Sequence, residues 1–237
     1  AGNEAMSELL AHPELWQALW LTLRLSLVSA LLLVLIGVPL AGWFSASRSR
    51  MSALLEMICG LPLVLPPTVL GFYLLILLAP GTWLGDGWTT VFGHPLPFSF
   101  AGLVLGSVLY SLPFVLTPIQ TAFRAIDTGL IDASVALGAR PRQTFWRIVV
   151  PVSMPGIIAG FALAFAHTLG EFGVVLMLGG NIPGETRVAS IALYDEVQKL
   201  NYPLAHAYAL VLLVVSALLL LLITLLQRRQ GGVLRLG

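Results

Sequence analysis

The stretch LSLVSALLLVLIGVPLAGWF, residues 25–44, is twenty residues long and contains no charged side chain. About 20 consecutive apolar residues are enough for a helix to cross the hydrocarbon core of a bilayer. Across the 237 residues of the chain, 58% are hydrophobic and only 10% are charged. The apolar runs are continuous and do not alternate with polar residues, which excludes a soluble domain and a transmembrane barrel. The sequence therefore predicts an all-α, polytopic helical membrane protein.

Five segments are apolar and long enough to be transmembrane helices, and together they form one predicted transmembrane domain over residues 1–237. The predicted spans are residues 15–44, 54–79, 98–123, 152–178 and 204–226. Residues 80–97 are rich in Gly, Pro and Trp, which predicts a compact loop of turns. Within residues 185–200, the pattern VASIALYDEV predicts a short helix that either lies at the membrane interface or re-enters the membrane.

Basic residues are distributed unevenly between the two sides of the predicted bundle. Nine of the twelve follow span one, connect spans three and four, or follow span five: Arg48, Arg50, Arg124, Arg140, Arg142, Arg147, Arg228, Arg229 and Arg235. The opposite side has Arg187 and Lys199, with Arg24 at its edge. Because loops rich in Lys and Arg stay in the cytoplasm, the N-terminus is predicted outside and the C-terminus inside.

The stretch DASVALGARPRQTFWRIVVP, residues 132–151, overlaps the predicted cytosolic loop over residues 124–150. Asp127, or the threonine after it, can cap a short helix. Gly138 can end that helix in a left-handed conformation, and Pro141 suits the first turn of the next helix. One face of the first helix is predicted to carry Leu130, Ala133, Ser134 and Leu137.

The spacing of this stretch resembles the EAA loop of ABC-importer permeases, whose pattern is E-A-A, three residues, G, nine residues and I-x-L-P. Here Asp132, Ser134 and Val150 replace the Glu, Ala and Leu of that pattern. The resemblance implies a coupling helix that docks in a groove of a cytosolic ATPase subunit. The residues assigned to this contact are Asp132, Ala133, Ser134, Leu137, Gly138, Ala139, Arg140 and Arg142. On charge alone, the competing interpretation is an ordinary basic loop between two spans.

Three further motifs, LPLVLPP (residues 61–67), LGEFG (169–173) and NIPGET (181–186), resemble the molybdate branch of oxyanion ABC-importer permeases. The resemblance covers about residues 15–229. It implies a type I importer permease in a bacterial-type inner membrane that conducts molybdate, and tungstate as well. It also implies two permease copies, two ATPase subunits and an external molybdate-binding protein, with membrane lipid around the spans and no nucleic acid.

The chain has no GxxxxGK[ST] motif, and its only lysine is Lys199. A phosphate-binding loop needs the lysine and the glycines of this motif. We therefore predict a transport subunit that is not itself an enzyme and binds no cofactor, with ATP and Mg on the partner ATPase.

Prolines 62, 66 and 67 interrupt the backbone hydrogen bonds of span two, which is tolerated only against protein or a cavity. By resemblance, spans two and four line the translocation path, and the competing interpretation is a packing kink. Glu171 repels a dianion, so it is not assigned as a substrate ligand; it either locks the outer gate or makes an interhelical hydrogen bond without a gating role. The pathway or gate set is Pro66, Pro67, Thr68, Gly170, Glu171, Phe172 and Gly173.

The predicted loop after span four is assigned to contact with the binding protein, through Asn181, Pro183, Gly184 and Arg187, with a plain turn as the alternative. Arg187 either attracts the anion or pairs with an acidic residue of the binding protein. Weak hydroxyl contacts to the anion are available, although each hydroxyl can instead bond within its own helix. Those hydroxyls belong to Thr68, Ser107, Ser111, Thr117 and Thr168.

Two other function classes compete with the importer subunit. An ion-coupled secondary carrier of a small anion would need intramembrane charge relays or inverted repeats, whereas one buried carboxylate and no clear repeat are present. An intramembrane enzyme would need paired carboxylates, a Ser–His constellation or HExxH. His167 and Glu171, four residues apart, can form a proton relay or half a metal site, with simple packing as the alternative.

Overall fold

The computed structural model describes residues 12–47 and 49–233, with only the backbone described for residues 222–224 and 226–233. Within this part the chain is helical and has no strand, which confirms the predicted all-α class. The helices are α1 Pro13–Ala46, α2 Arg50–Gly60, α3 Pro67–Leu78, α4 Trp83–Phe92, α5 Phe100–Arg124, α6 Thr128–Ala136, α7 Pro141–Val152, α8 Met154–Leu169, α9 Gly173–Gly179, α10 Ala189–Gln198 and α11 Tyr202–Val233. Of the basic residues used to predict orientation, Arg48 and Arg235 and the side chains of Arg228 and Arg229 lie outside the described part.

Three described helices are long and apolar enough to cross a membrane: α1, α5 and residues Tyr202–Leu221 of α11. Two further spans are bent, by 114° between Arg50–Leu63 and Pro67–Leu78, and by 69° between α7 and α8. The five predicted spans are compatible with this arrangement if each bent pair is one span. No unbroken helix covers residues 54–79 or 152–178, so those two spans differ from the prediction.

The break in the second span has a clear chemical cause. A 3₁₀ turn, Leu61–Leu63, follows α2, and α3 begins at Pro67 with Pro66 in an extended conformation as its N-cap. Neither proline has an N–H group to continue the helix. In the fourth span, α8 ends at Leu169 and residues 170–172 are not helical before α9 begins. The apolar composition of residues 152–178 does not reveal this second break.

The core lies where α1, α5 and α8 pack together around Leu33, Val115 and Ala164, which are 0% exposed. Gly37 leaves no room for a Cβ because the Val115 side chain occupies that space, and a Cβ on Gly160 would lie 3.0 Å from the Val115 carbonyl oxygen. Close approach of backbones at small residues is how membrane helices associate, because lipid tails are as apolar as the side chains.

Two connecting segments also contain helices. Residues 80–97 are not only turns, because they contain α4. Thr82 is the N-cap of this helix, and its hydroxyl accepts a hydrogen bond from the Gly85 N–H; Gly93, with a φ of 78°, is the C-cap. The short helix predicted within residues 185–200 is confirmed as α10. One of its faces is buried against α1 and α11, and the Ala189 N–H donates to Thr22 Oγ1 at 2.8 Å.

Candidate functional site

The segment from α6 to α7 has the conformation that the sequence predicts. The Asp127 side chain accepts a hydrogen bond from the Gly129 N–H at 2.8 Å, which starts α6. Gly138 has a φ of 79°, and its N–H donates to the Val135 carbonyl at 2.9 Å while the Ala139 N–H donates to Ser134 at 3.1 Å. These two bonds form a Schellman turn, which satisfies the last carbonyls of α6 and ends the helix sharply.

Side chains then hold α6 against α7. Ser134 is 5% exposed, and its hydroxyl lies 2.8 Å from the Thr144 hydroxyl. The Arg140 N–H donates to Gln143 Oε1 at 2.9 Å, and Pro141 occupies the first turn of α7, as predicted. We refer to residues 127–152, comprising α6, the turn and α7, as the coupling segment.

The predicted helical face of α6 needs one correction. Ser134 faces α7, whereas Leu137 is 89% exposed and Leu130 is 47% exposed. Val135, which the sequence analysis did not assign, is 60% exposed. Of the remaining assigned residues, Ala139 is half-buried and the exposed ones are Asp132, Ala133, Gly138, Arg140 and Arg142. Exposed aliphatic side chains beside basic ones make this face of α6 suitable for covering by a protein partner.

The two helix breaks lie side by side, at the starts of α3 and α9. A Cβ on Gly173 would lie 2.8 Å from Cβ and Cγ of Pro67 and 3.1 Å from the Thr68 nitrogen. One turn further, a Cβ on Gly71 would lie 2.8 Å from Met177 Cβ. The structure therefore brings together Pro67, Thr68 and Gly173 of the predicted pathway set. We refer to α3 and α9, with their two breaks, as the paired half-helices.

Glu171 lies in the break before α9 and is 5% exposed. Within the described part of the chain, neither of its carboxylate oxygens has a hydrogen-bond partner. The Ser107 hydroxyl of α5 lies beside the carboxyl group but is also unpartnered. Both interpretations of Glu171 involve a side-chain hydrogen bond to a facing helix, and Ser107 of α5 is the side chain placed beside it. Both interpretations stay predictions. The backbone of Glu171 is held on both sides: its N–H donates to the Thr168 carbonyl at 3.2 Å, and its carbonyl accepts from Ser190 Oγ at 2.7 Å.

Next to Glu171, a polar cluster joins α5 to α8. Ser111 Oγ lies 2.8 Å from His167 Nδ1 and 3.1 Å from Thr168 Oγ1, and the His167 ring stacks on Phe114 with 3.9 Å between ring centroids. The sequence analysis named five hydroxyls as weak contacts to the anion. Of these, Thr117 is the one that bonds within its own helix among the described residues, to the Pro113 carbonyl at 2.9 Å.

Spacing on one helix cannot reveal this cluster, since Ser111 and His167 are 56 residues apart. In the part of the chain that is described, no group of three or more His, Cys, Asp or Glu residues is placed to hold a metal.

The loop over residues 181–185 is exposed throughout, including the assigned Asn181, Pro183 and Gly184. Arg187 is different, because its side chain is only 17% exposed and its guanidinium is engaged within the chain. It donates to Asn181 Oδ1 at 2.6 Å and lies 3.6 Å from Glu14 and 3.7 Å from Asp195. In this conformation the guanidinium belongs to an ion-pair network at the base of this loop, and the two predicted uses of Arg187 stay predictions.

Lys199 extends the same network. Its Nζ lies 2.8 Å from Asp195 Oδ2 and 2.9 Å from Glu196 Oε1. The hydrogen bond from Lys199 lowers the pKa of the Asp195 carboxyl, and the same bond raises the pKa of the Lys199 ammonium. Spacings of three and four residues on α10 would have revealed these two pairs from sequence, but not the link to Glu14.

A second polar contact that the sequence analysis missed links α2 to α5 near the coupling segment. Glu56 Oε1 accepts from Gln120 Nε2 and from Arg124, each at 3.1 Å. Both charged side chains are partly exposed, so the pair contributes little stability.

Comparison with known proteins agrees with this geometry. A family model described as "Binding-protein-dependent transport system inner membrane component" matches residues 34–232. The chain is 47% identical over 189 residues to the molybdenum transport system permease protein ModB of Azotobacter vinelandii, covering 80% of this chain and 84% of that protein. It is 35% identical over 190 residues to ModB of Escherichia coli K12, covering 80% and 82%.

Among solved structures, a bacterial ABC transporter involved in the import of the acidic polysaccharide alginate superposes with a TM-score of 0.78. The sequences are 21% identical, and the match covers 95% of this chain and 83% of that one. The similarity to this structure establishes the fold, which is that of a type I ABC-importer permease.

Proposed function

Because this chain belongs to the family of inner membrane components of binding-protein-dependent transport systems, we propose that it conducts molybdate, and tungstate as well, into the cytoplasm. The substrate assignment is supported by the LPLVLPP, LGEFG and NIPGET motifs and by the molybdenum permeases with which the chain shares up to 47% identity. As a permease subunit, the chain takes its energy from a separate ATPase.

The observation that carries this proposal is the exposed aliphatic face of α6. Leu137 is 89% exposed at the end of a helix whose turn is closed by two backbone hydrogen bonds. An exposed side chain held by such a hydrogen-bonded turn fits a groove in a protein partner. Arg140 and Arg142 beside it can form charge-assisted hydrogen bonds at the rim of that groove. The proposed partner is the cytosolic ATPase, with two copies serving two copies of this chain.

A continuous series of contacts connects this face of α6 to the paired half-helices. The Ser134–Thr144 bond holds α6 to α7, α7 continues into α8 through the 69° bend, and α8 leads to the break at residues 170–172. Beyond that break, α9 packs against α3 at Gly173 and Pro67. Movement of α6 by the ATPase would therefore displace α9 relative to α3 and open or close the path beside them.

The composition of the path suits a doubly charged oxyanion. Residues 51–123 contain no Lys or Arg, so no fixed cation in spans two and three would trap the ion. Glu171 is placed at the gate and away from the substrate, since its carboxylate would repel a dianion.

The loop over residues 181–185 is proposed to meet the external binding protein, through Asn181, Pro183 and Gly184. Its exposure favours this contact, and Arg187 serves it by fixing the base of the loop. In this arrangement the N-terminus is outside, as the distribution of arginines predicts, and α6 with the turn that follows it is in the cytoplasm.

Uptake by reconstituted vesicles tests the proposal. Vesicles that contain this chain, its ATPase and the binding protein are expected to take up molybdate only with ATP, and tungstate should compete more strongly than sulfate. Uptake by the chain alone under an ion gradient would support the secondary carrier instead. Stronger competition by sulfate would retain the importer but reject molybdate as its substrate.

A further inference from the structure

Two neighbouring cavities lie beside α1 and the start of α5, and none of the residues that line them belongs to the paired half-helices. The first has a volume of about 630 Å³, and its wall includes Arg24, His94, Ser99 and Glu185. The second has a volume of about 430 Å³, and its wall consists of apolar and aromatic side chains, including Leu32, Ile36 and Val104. Phe100 and Ala101 line both cavities, so the first, which we call the polar chamber, adjoins the second, which we call the apolar groove, at the start of α5.

Arg24 is fixed in the polar chamber with its charge available. Its guanidinium carbon lies 4.4 Å from the centroid of the Phe100 ring, in a cation–π contact that orients the side chain. Among the described residues, no carboxylate lies within 4.0 Å of it. Glu185 lines the same chamber and is also without an ion-pair partner in the described part of the chain. The chamber therefore holds one cation and one anion that are not paired with each other.

The position of Arg24 along α1 is that of a membrane boundary. Trp16 and Trp20, toward the start of the helix, are 55% and 69% exposed, as expected of an interfacial aromatic belt. On the other side of Arg24, Leu31 and Leu35 are 56% and 71% exposed, which fits contact with lipid tails. The polar chamber thus lies at headgroup depth, and the apolar groove lies at the depth of the acyl chains.

We propose that these two cavities bind one phospholipid with a zwitterionic ethanolamine headgroup. The phosphate pairs with Arg24, the ammonium donates hydrogen bonds to Glu185, and one acyl chain occupies the groove between α1 and α5. A choline headgroup has the same net charge but no N–H to donate, and a glycerol headgroup has no cation for Glu185. The inference requires the membrane-spanning fold and is independent of the transported ion.

Lipid retention by the purified full chain, kept with its ATPase subunits in detergent, tests this assignment. After addition of equal amounts of ethanolamine, choline and glycerol phospholipids with identical acyl chains, native mass spectrometry counts the lipid that stays bound. The wild type is expected to retain the ethanolamine lipid preferentially. One charge contact near the membrane surface corresponds to about a fivefold change in retention.

Three variants separate the parts of the site. Arg24→Gln is expected to lower retention of all three lipids about fivefold, because each has a phosphate. Glu185→Gln is expected to abolish the preference for ethanolamine over choline while keeping the phosphate contact. Ala101→Phe fills the passage between the cavities without changing charge, and it is expected to lower retention of all three. Arg50→Gln is the control: it removes an arginine at the start of α2, beyond the opposite end of α1 from the cavities, and should leave the amount of retained lipid unchanged.

Several results would overturn the assignment. Equal retention by the wild type and Arg24→Gln would show that Arg24 holds no lipid phosphate. Equal retention by the wild type and Ala101→Phe would show that no lipid runs from one cavity to the other. Release of the retained lipid by inorganic phosphate would identify a site for free anions instead. Rapid disulfide formation between two copies of an Ile36→Cys variant, in a Cys59→Ser background, would show that a second copy of the chain covers the groove.

Discussion

Replacing Gly138 by valine tests whether the turn after α6 carries the coupling to the ATPase. The φ of Gly138 is 79°, a region that an L-residue enters at a cost of about 1–2 kcal/mol. A β-branched residue is among the least tolerant of it. The structure shows no atom within 4 Å of a Cβ at this position, so the substitution strains the backbone without creating a clash.

The strain should be relieved by opening the turn. A cost of one to two kcal/mol raises the population of an opened turn by a factor of about 5 to 30. An opened turn loses the hydrogen bonds from Gly138 to Val135 and from Ala139 to Ser134, and it releases Leu137 from its fixed position. Because apparent affinity scales with the fraction of closed turn, we expect ATPase affinity to fall by at most this factor. The membrane helices should stay inserted, since a Cβ at Gly138 meets no atom within 4 Å.

The assay is co-purification of the tagged chain with its ATPase, measured with ATP-dependent uptake and the thermal unfolding midpoint. Gly138→Asn is the matched control, since asparagine enters the left-handed region more readily than other residues, and it should keep most of the binding. Wild-type ATPase binding and uptake in Gly138→Val would refute the reasoning and make this turn an ordinary connection between two spans.

Three further substitutions test the paired half-helices and the polar cluster next to them. Gly173→Val should disrupt uptake, because even its Cβ would lie 2.8 Å from Pro67 and the half-helices would have to separate. Ser111→Ala should lower thermal stability by about 1–3 kcal/mol, since it leaves the His167 ring without its partner at 2.8 Å. Glu171→Gln should assemble at least as stably as the wild type, because an amide is cheaper to bury than an unpartnered carboxylate, and it should alter uptake if Glu171 controls the gate.

Each of these has its own control and contrary outcome. Gly87→Ala in α4 is the control for Gly173→Val, since a Cβ there meets nothing within 4 Å. Thr117→Val removes a hydroxyl that bonds only within its own helix, so it should cost less stability than Ser111→Ala. Normal uptake with normal assembly in Glu171→Gln would reject a gating role for that carboxylate.

Features that depend on a few neighbouring residues were predictable from the sequence. Three such local roles are confirmed by the structure: Asp127 caps the start of α6 with its side chain, Gly138 ends α6 in the left-handed conformation, and Pro141 lies in the first turn of α7. The helical class was also predictable from apolar runs of about 20 residues, because a membrane helix makes all its backbone hydrogen bonds within its own segment.

Features that join distant parts of the chain were not predictable. The break at residues 170–172 lies in an apolar run, and hydropathy is the same for a straight helix and a broken one. The ion pair of Arg187 with Glu14 was not predicted, because the two residues are far apart in sequence. Ser111 and His167 similarly meet only because α5 and α8 are neighbours. Such contacts require the packing of helices, which a single sequence does not specify.

The departures from regular helix lie along one route through the molecule. The π-helical turn Phe145–Val149, in which the Val150 N–H bonds to the Phe145 carbonyl, comes first, and the bend near Ser153 follows it. The break at residues 170–172, with its unpartnered carboxylate, comes next and leads to the proline break before α3. A membrane helix that only had to be stable would keep its hydrogen bonds intact, since lipid cannot replace them. Under the proposed function, the irregular turns between α6 and the paired half-helices are the joints through which a movement at one end reaches the other.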